Sequence, residues 1–386
     1  MIGISRLYCQ TAGENDELRY GTSEDRSVHQ RPVVVWNCTR RCNLRCRHCY
    51  AGASEGSASD EMNTDQARRL IDDLGQFGVP VLLFSGGEPS LRDDVFELAE
   101  RARQLGMRTV FSTNGTTIDT ATAERLAEVG ANYIGVSLDG ARETHDAFRG
   151  VDGAFDEALE GIENCRDAGL KVGLRFTITQ GNAEDVPDMF RLVRDRDIQR
   201  LCFYHLVYAG RGGKLMQEDL SNQHSRRVVD DIIDRTARLY TSGREPEVLT
   251  VDNHADGPYL YLRMQREGRS KAEDVKELLV ANGGNASGRG IACINWNGEV
   301  YPDQFWRHAT VGDVTERCFP KIWTDTTCSL LQRLRNRREW LHGRCAKCRF
   351  LDMCNGNSRV RAEAATDDRW APDPACYLTD EEIGIA

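Results

Sequence analysis

Six short apolar runs rich in β-branched residues alternate with amphipathic stretches between residues 33 and 206, and this rhythm constrains the fold most. The runs lie at 33–36, 79–84, 109–111, 133–136, 172–178 and 201–206. Between them, 64–77, 93–105, 120–129, 155–168 and 185–196 carry apolar residues at helical spacing. Gly78, Gly106, Gly130 and Gly169 stand where such helices stop. Repeated strand–helix–strand units pair in parallel, so the chain predicts an α/β fold, either an open parallel sheet or a barrel.

The rhythm sets the expected boundaries. Residues 1–31 are polar and aperiodic and read as an irregular lead-in, with 32–213 as the repeat region. After about residue 213 the pattern changes to a long helix at 219–241 and shorter ones at 259–266 and 272–280. A flexible Gly/Asn/Ser loop follows at 282–290. Residues 214–290 therefore read as a helical linker and 291–386 as a small C-terminal domain. That domain opens with a hairpin turning at Asn297-Gly298.

Composition removes whole classes of function. No apolar run approaches the ~20 residues that cross a bilayer, and the N-terminus lacks the parts of a signal peptide. A cytoplasmic protein without a membrane span is expected. The formal net charge of −10 argues against general nucleic-acid binding. The 14 cysteines are too few for a disulfide scaffold and they cluster, which points to metal.

Cys42, Cys46 and Cys49 have the spacing C-x3-C-x2-C just after the first predicted strand. Three thiolates in eight residues suit three irons of a [4Fe–4S] cluster, leaving one iron open for a chelating cosubstrate. Zinc is the alternative, and it needs a fourth ligand that His48, lying between two of the cysteines, is badly placed to supply. The second set is Cys345-x2-Cys348-x5-Cys354 with Cys376 beyond it. Alone it would also suit a closed zinc knuckle.

The first loop, with Ser85-Gly86-Gly87-Glu88-Pro89, Ser112-Thr113-Asn114-Gly115 and Ser137-Leu138-Asp139-Gly140, resembles the radical S-adenosylmethionine enzymes. Each of these motifs follows a predicted strand, where a βα barrel builds its active site. The resemblance implies a partial (β/α)6 barrel with a small iron–sulfur extension of the SPASM kind. It also implies S-adenosylmethionine and a [4Fe–4S] cluster on Cys42, Cys46 and Cys49. Gly86, Gly87 and Glu88 would receive the methionine amino group. Ser112, Asn114, Ser137 and Asp139 would line the pocket, and His48 would lie near adenine. Arg175 is the candidate for the methionine carboxylate; a salt bridge to Asp139 or Glu88 is its alternative role.

Further segments resemble the tetrapyrrole-trimming branch of the family, among them Thr250-Val251-Asp252-Asn253-His254 and Trp370-Ala371-Pro372-Asp373-Pro374-Ala375-Cys376. This implies removal of two acetate side chains from an iron tetrapyrrole, with electrons from a low-potential donor such as ferredoxin or flavodoxin. A sister reaction on the same ring, peptide modification and a non-enzymatic redox sensor are the other readings. His254 and His205, and also His308, are candidates to ligate the substrate iron or protonate the ring, against ordinary core or surface roles. Nine Arg or Lys against two acids between 333 and 361 form either a solvated face or a grip for carboxylates. The extension resembles a two-cluster pattern with one site broken. Cys345, Cys348, Cys354 and Cys376 remain, whereas Asp303 and Ser358 replace ligands and only Cys293 survives of the other set. One auxiliary [4Fe–4S] cluster is expected, and the vacated volume would admit the planar substrate.

Overall fold

The computed structural model describes residues 1–13, 16–21, 31–54 and 59–385. Its strands are β1 (Ile2–Gly3), β2 (Val33–Thr39), β3 (Val81–Gly86), β4 (Arg108–Thr113), β5 (Tyr133–Ser137), β6 (Val172–Ile178), β7 (Arg200–His205), β8 (Glu247–Val251), β9 (Ile291–Ile294), β10 (Glu299–Tyr301) and β11 (Gly312–Asp313). They form one sheet in the order β1-β8-β7-β6-β5-β4-β3-β2-β9-β10-β11. From β8 through β2 to β9 every neighbouring pair is parallel. The two edges are antiparallel additions.

Strand parity divides the sheet into two chemistries. In β2, Val34, Trp36 and Cys38 join the main core with the helices, whereas Val35 belongs to a separate cluster with Val207, Cys293 and Tyr301. In β7, Leu201 and Phe203 join the main core, while Cys202 and Tyr204 cluster on the other face. Period-two alternation thus sends one set outward to the helices and the other to the inner wall. The helices supply the matching stripe. Thr64–Phe77 starts at an Asn63/Gln66 capping box, buries Ala67, Leu70, Ile71 and Leu74, and ends at Gly78 with φ +80°.

The partial barrel and all six expected strands are present, and the structure adds to them. Residues 1–31 are not uniformly irregular: β1 pairs with β8, and helices Ile4–Tyr8 and Asp16–Tyr20 follow. The stretch 22–30 lies outside the described residues. The 214–290 segment is more than a linker, because β8 extends the parallel run by one strand. Nor is the loop at 282–290 loose. Asn285 takes hydrogen bonds from Arg337 Nη1 at 2.7 Å and Asn355 Nδ2 at 2.7 Å. The C-terminal hairpin joins the barrel sheet itself, with Val35 opposite Cys293.

Candidate active site at the strand ends

Cys42, Cys46 and Cys49 sit in the loop leaving β2, and neighbouring backbone fixes that loop. Arg45 N and Arg47 N donate to the carbonyls of Arg149 (3.0 Å) and Phe148 (2.9 Å), at the end of helix Arg142–Arg149. Arg211 donates to Cys46 O and Ala53 O, both at 2.8 Å. Burial pushes the Cys42 thiol up to about 12, and Cys46 and Cys49 push it the same way. Burial likewise raises Cys46, while Arg149 opposes the shift. Thiols raised by burial, such as Cys42 and Cys46, are held as thiolates only around a cation. The donor set fits an iron–sulfur cluster with one iron left open.

The Gly-Gly-Glu segment follows β3 and lies against this loop. Gly87 N donates to Thr39 O and Glu88 N to Arg41 O, both at 2.8 Å. A Cβ on Gly87 would fall 2.0 Å from the Arg41 carbonyl oxygen, and Gly86 has φ +122°. Both glycines are therefore required by the approach of two backbones. The Glu88 carboxylate is buried and already engaged, by Thr113 Oγ1 (2.8 Å), Asn114 N (2.8 Å) and Ser90 Oγ (3.0 Å). Burial raises its pKa and these donors counter the shift. It ties the end of β3 to the end of β4.

The inner wall gathers several of the other expected residues. Ser137 is in register with Arg175, and Arg175 with Cys202. Arg175 lies over the Tyr204 ring, 4.9 Å from its centroid, and its stem occupies the space that a Cβ on Gly135 would take. Its alternative partners are otherwise engaged: Asp139 pairs with Arg149, and Glu88 is held as above. Ser112, on β4, pairs with Gly135. Asn114 bonds Asn43 Oδ1 at 2.9 Å, and its Nδ2 lies 4.0 Å from Cys42 Sγ. His48 stacks on Phe148 with centroids 4.5 Å apart, and its Nδ1 is buried without a partner. Burial holds that imidazole neutral.

The histidines separate. His205 shares the parity of Leu201 and Phe203, so it leaves the strand on the helix side. There its Nε2 pairs with Asp256 Oδ2 at 2.9 Å, and Asp256 also accepts from Tyr377 OH at 2.6 Å. His308 is exposed and pairs with Glu363 at 3.0 Å. His254 follows β8 at the strand-end side of the barrel; its backbone N donates to Asn357 Oδ1 at 2.7 Å. Its Nδ1 is buried and unpartnered, and burial pushes its pKa far down. Arg149 was not among the expected residues; the Arg four positions beyond His145 is the signal that could have found it.

In the extension, burial raises Cys354, and Cys376, Cys345 and Cys348 each add to the shift. The basic segment is neither purely a solvated face nor purely a substrate grip. Arg337, Arg359 and Arg361 are fully buried. Arg361 pairs with Asp373 at 2.9 Å and donates to Leu206 O (2.9 Å) and Asp252 O (3.0 Å), stapling the extension to the barrel. The volume of the broken site is occupied by side chains: Trp306, Tyr301, Leu334 and Val360 pack with Cys293. Arg307 donates to Asn295 Oδ1 at 3.1 Å. Asp303 is buried and takes the hydroxyl of Ser287 and the amide of Phe305.

Residues 36–193 match the radical SAM superfamily, and 287–349 match the SPASM iron–sulfur cluster-binding domain. Fe-coproporphyrin III synthase of Methanosarcina barkeri is 55% identical over 100% of this chain and 99% of its own. Pre-heme d1 synthase of Dinoroseobacter shibae is 45% identical over 92% of this chain and 88% of its own. The structure of native anSMEcpe with bound AdoMet shares the fold, with a TM-score of 0.70 at 19% identity, over 92% of this chain and 96% of that one. No helix among the described residues is long and apolar enough to cross a membrane. By these matches and its full-length likeness, the chain belongs to the radical SAM superfamily, as a SPASM-bearing enzyme that groups with these tetrapyrrole-modifying relatives.

Proposed function

We propose that this enzyme removes two acetate side chains from 12,18-didecarboxysiroheme to give iron coproporphyrin III. The full-length likeness to Fe-coproporphyrin III synthase carries this reading. The bound cluster and S-adenosylmethionine supply one-electron chemistry that takes a hydrogen atom from an unactivated carbon. Cys42, Cys46 and Cys49 hold the cluster. The Gly86-Gly87 edge, Ser112, Asn114, Ser137 and Arg175 orient the cosubstrate, with Arg175 as the guanidinium that meets its carboxylate. Asp139 and Glu88 act one step removed, by fixing Arg149 and the ends of β3 and β4. His48 closes one side of the adenine position by its stack on Phe148.

His254 presents a neutral, unpartnered Nδ1, which suits it to ligate the substrate iron rather than to deliver a proton. His205 is a structural partner of Asp256 and has no catalytic part in this reading. One auxiliary [4Fe–4S] cluster sits on Cys345, Cys348, Cys354 and Cys376. The electron donor is a low-potential ferredoxin or flavodoxin, and the enzyme works in the cytoplasm.

The test is anaerobic reconstitution, incubation with 12,18-didecarboxysiroheme and S-adenosylmethionine, and mass analysis. The expected result is 5′-deoxyadenosine together with a tetrapyrrole that has lost both acetates. The likeness to pre-heme d1 synthase favours a second reading, a sister activity on the same ring type, and a product of different mass would assign it. Formation of 5′-deoxyadenosine with no change in any tetrapyrrole would sink both readings.

A further inference from the structure

A cavity of about 460 Å3 opens on the extension, lined by Ser329, Leu330, Arg333, Arg369 and Trp370. None of the inner-wall residues lines it. Its volume is within the range of small-molecule sites, roughly 300–1,000 Å3.

Two guanidiniums and the Trp370 indole line it, and Trp340 adjoins Trp370 just outside the lining. Arg333 lies over the Trp340 ring at 4.2 Å, and Arg369 over the Trp306 ring at 5.3 Å. Trp340 and Trp370 have centroids 6.3 Å apart, tilted by 36°. Trp340 is 41% exposed, one of few large apolar side chains on the described surface. Glu363 fixes Arg369 at 2.5 Å and so neutralises part of its charge. Arg333 has no ion pair with any described residue, and its guanidinium is free to take an anion. Leu330 and Trp370 pack on the cluster of Trp306, Leu334 and Val360, which continues to Val207 and to Val35 on the inner wall of β2. The cavity floor is thus the outer side of the packing that reaches the barrel.

A ligand that satisfies all of this has a wide conjugated face for the indoles and at least two carboxylates for the guanidiniums. We propose that the cavity is a docking site for the carboxylate-bearing edge of a tetrapyrrole, outside the barrel, with Arg333 as the principal anion contact and Trp340 and Trp370 as the stacking surface. This rests on the proposed tetrapyrrole function and places a specificity site for it on the extension.

Iron coproporphyrin III and its tetramethyl ester are titrated separately into the reconstituted protein, followed by the Soret band and by tryptophan fluorescence. Loss of one charged contact predicts an affinity for the tetra-acid about tenfold weaker in Arg333→Gln, and about a hundredfold weaker when Arg369→Gln is added. Arg333→Lys retains part of the affinity and Trp340→Ala loses some. The ester, which offers no carboxylate, is expected to bind wild type and the Arg variants alike, and this also reports that the variants are folded. Equal tetra-acid affinity in wild type and the double variant overturns the docking site and leaves the proposed reaction standing. A wild-type protein that binds neither compound overturns the proposed function, and the docking site with it. Unchanged porphyrin affinity with slower reduction by flavodoxin assigns the cavity to a protein partner and also overturns the proposal.

Discussion

Arg149 donates from Nη1 to Cys46 Sγ at 3.4 Å while its Nη2 is ion-paired to Asp139. Both side chains are buried, so the two opposite charges act on the Cys46 sulfur with little screening. A cation beside a thiolate stabilises the more negative, reduced state. Arg149→Gln should therefore lower the midpoint potential of the radical-site cluster, and Asp139→Asn, which removes the compensating carboxylate, should raise it. A tenfold change in the reduced-to-oxidised ratio corresponds to about 59 mV. An EPR-monitored redox titration, reading the signal that S-adenosylmethionine perturbs, decides it; shifts of the same sign in both variants would refute the electrostatic account.

Arg361 is the central staple between extension and barrel. Arg361→Met leaves Asp373 buried without its cation and two carbonyls without donors. Breaking a buried pair in this way costs about 3–5 kcal/mol. The exposed Arg338–Asp352 pair is the contrast, where Arg338→Ala should cost under about 1 kcal/mol. Urea unfolding of the two variants measures the difference. Partial recovery in Arg361→Met/Asp373→Leu would identify the uncompensated carboxylate as the main cost.

What was legible in the sequence is what local pattern encodes. β2 to β7 are continuous apolar runs because both their faces are covered, and Thr64–Phe77 carries its capping box and glycine stop in view. The cysteine loop was readable because Cys42, Cys46 and Cys49 lie within eight residues. The rest depends on distant partners. Ile2–Gly3 is too short to read as a strand until β8 lies beside it. Helix Arg142–Arg149 buries only His145, Phe148 and Arg149, and its polar composition hides that two of these anchor the cysteine loop. Arg337 and Arg361 look like solvent-facing cations because nothing in their neighbourhood announces the carbonyls of Ser287 for the one and of Leu206 and Asp252 for the other. His205 shows the same limit, since its strand position was readable and its exit face was not.

His145 gives the fold a pH dependence. Its Nδ1 accepts the Asp139 backbone N–H at 3.0 Å, and burial lowers its pKa to about 3. The unfolded state, with a histidine near its ordinary value of about 6.5, binds the proton that the folded state refuses. Stability from this group is complete above about 6.5 and falls as pH drops toward about 3. Between pH 6.5 and 5.5 the loss is about 1 kcal/mol. Urea midpoints over pH 7.5–5.5 should show this slope in wild type and a flatter one in His145→Asn. Parallel slopes would remove His145 as the cause.

The number of clusters follows from which ligands are already occupied. Cys345, Cys348, Cys354 and Cys376 act on one another, and Arg337 places a buried positive charge near Cys354. Such a charge suits the net negative charge of four thiolates around an iron–sulfur core. The other set offers nothing comparable. Cys293 is buried with Asn37 Nδ2 at 3.4 Å from its sulfur. Asp303 is held by Ser287, and Ser358 caps helix Arg359–Thr366 by accepting from Arg361 N at 3.2 Å. Reconstituted wild type should therefore carry two [4Fe–4S] clusters, about eight irons. Cys354→Ala should fall to about four while keeping the spectral response to S-adenosylmethionine, and Cys46→Ala should lose that response and its S-adenosylmethionine cleavage. Cys293→Ala should stay near eight, because no cluster depends on that thiol. A wild-type value near twelve, or loss of four irons in Cys293→Ala, would mean that a second auxiliary cluster forms on ligands the fold has otherwise committed.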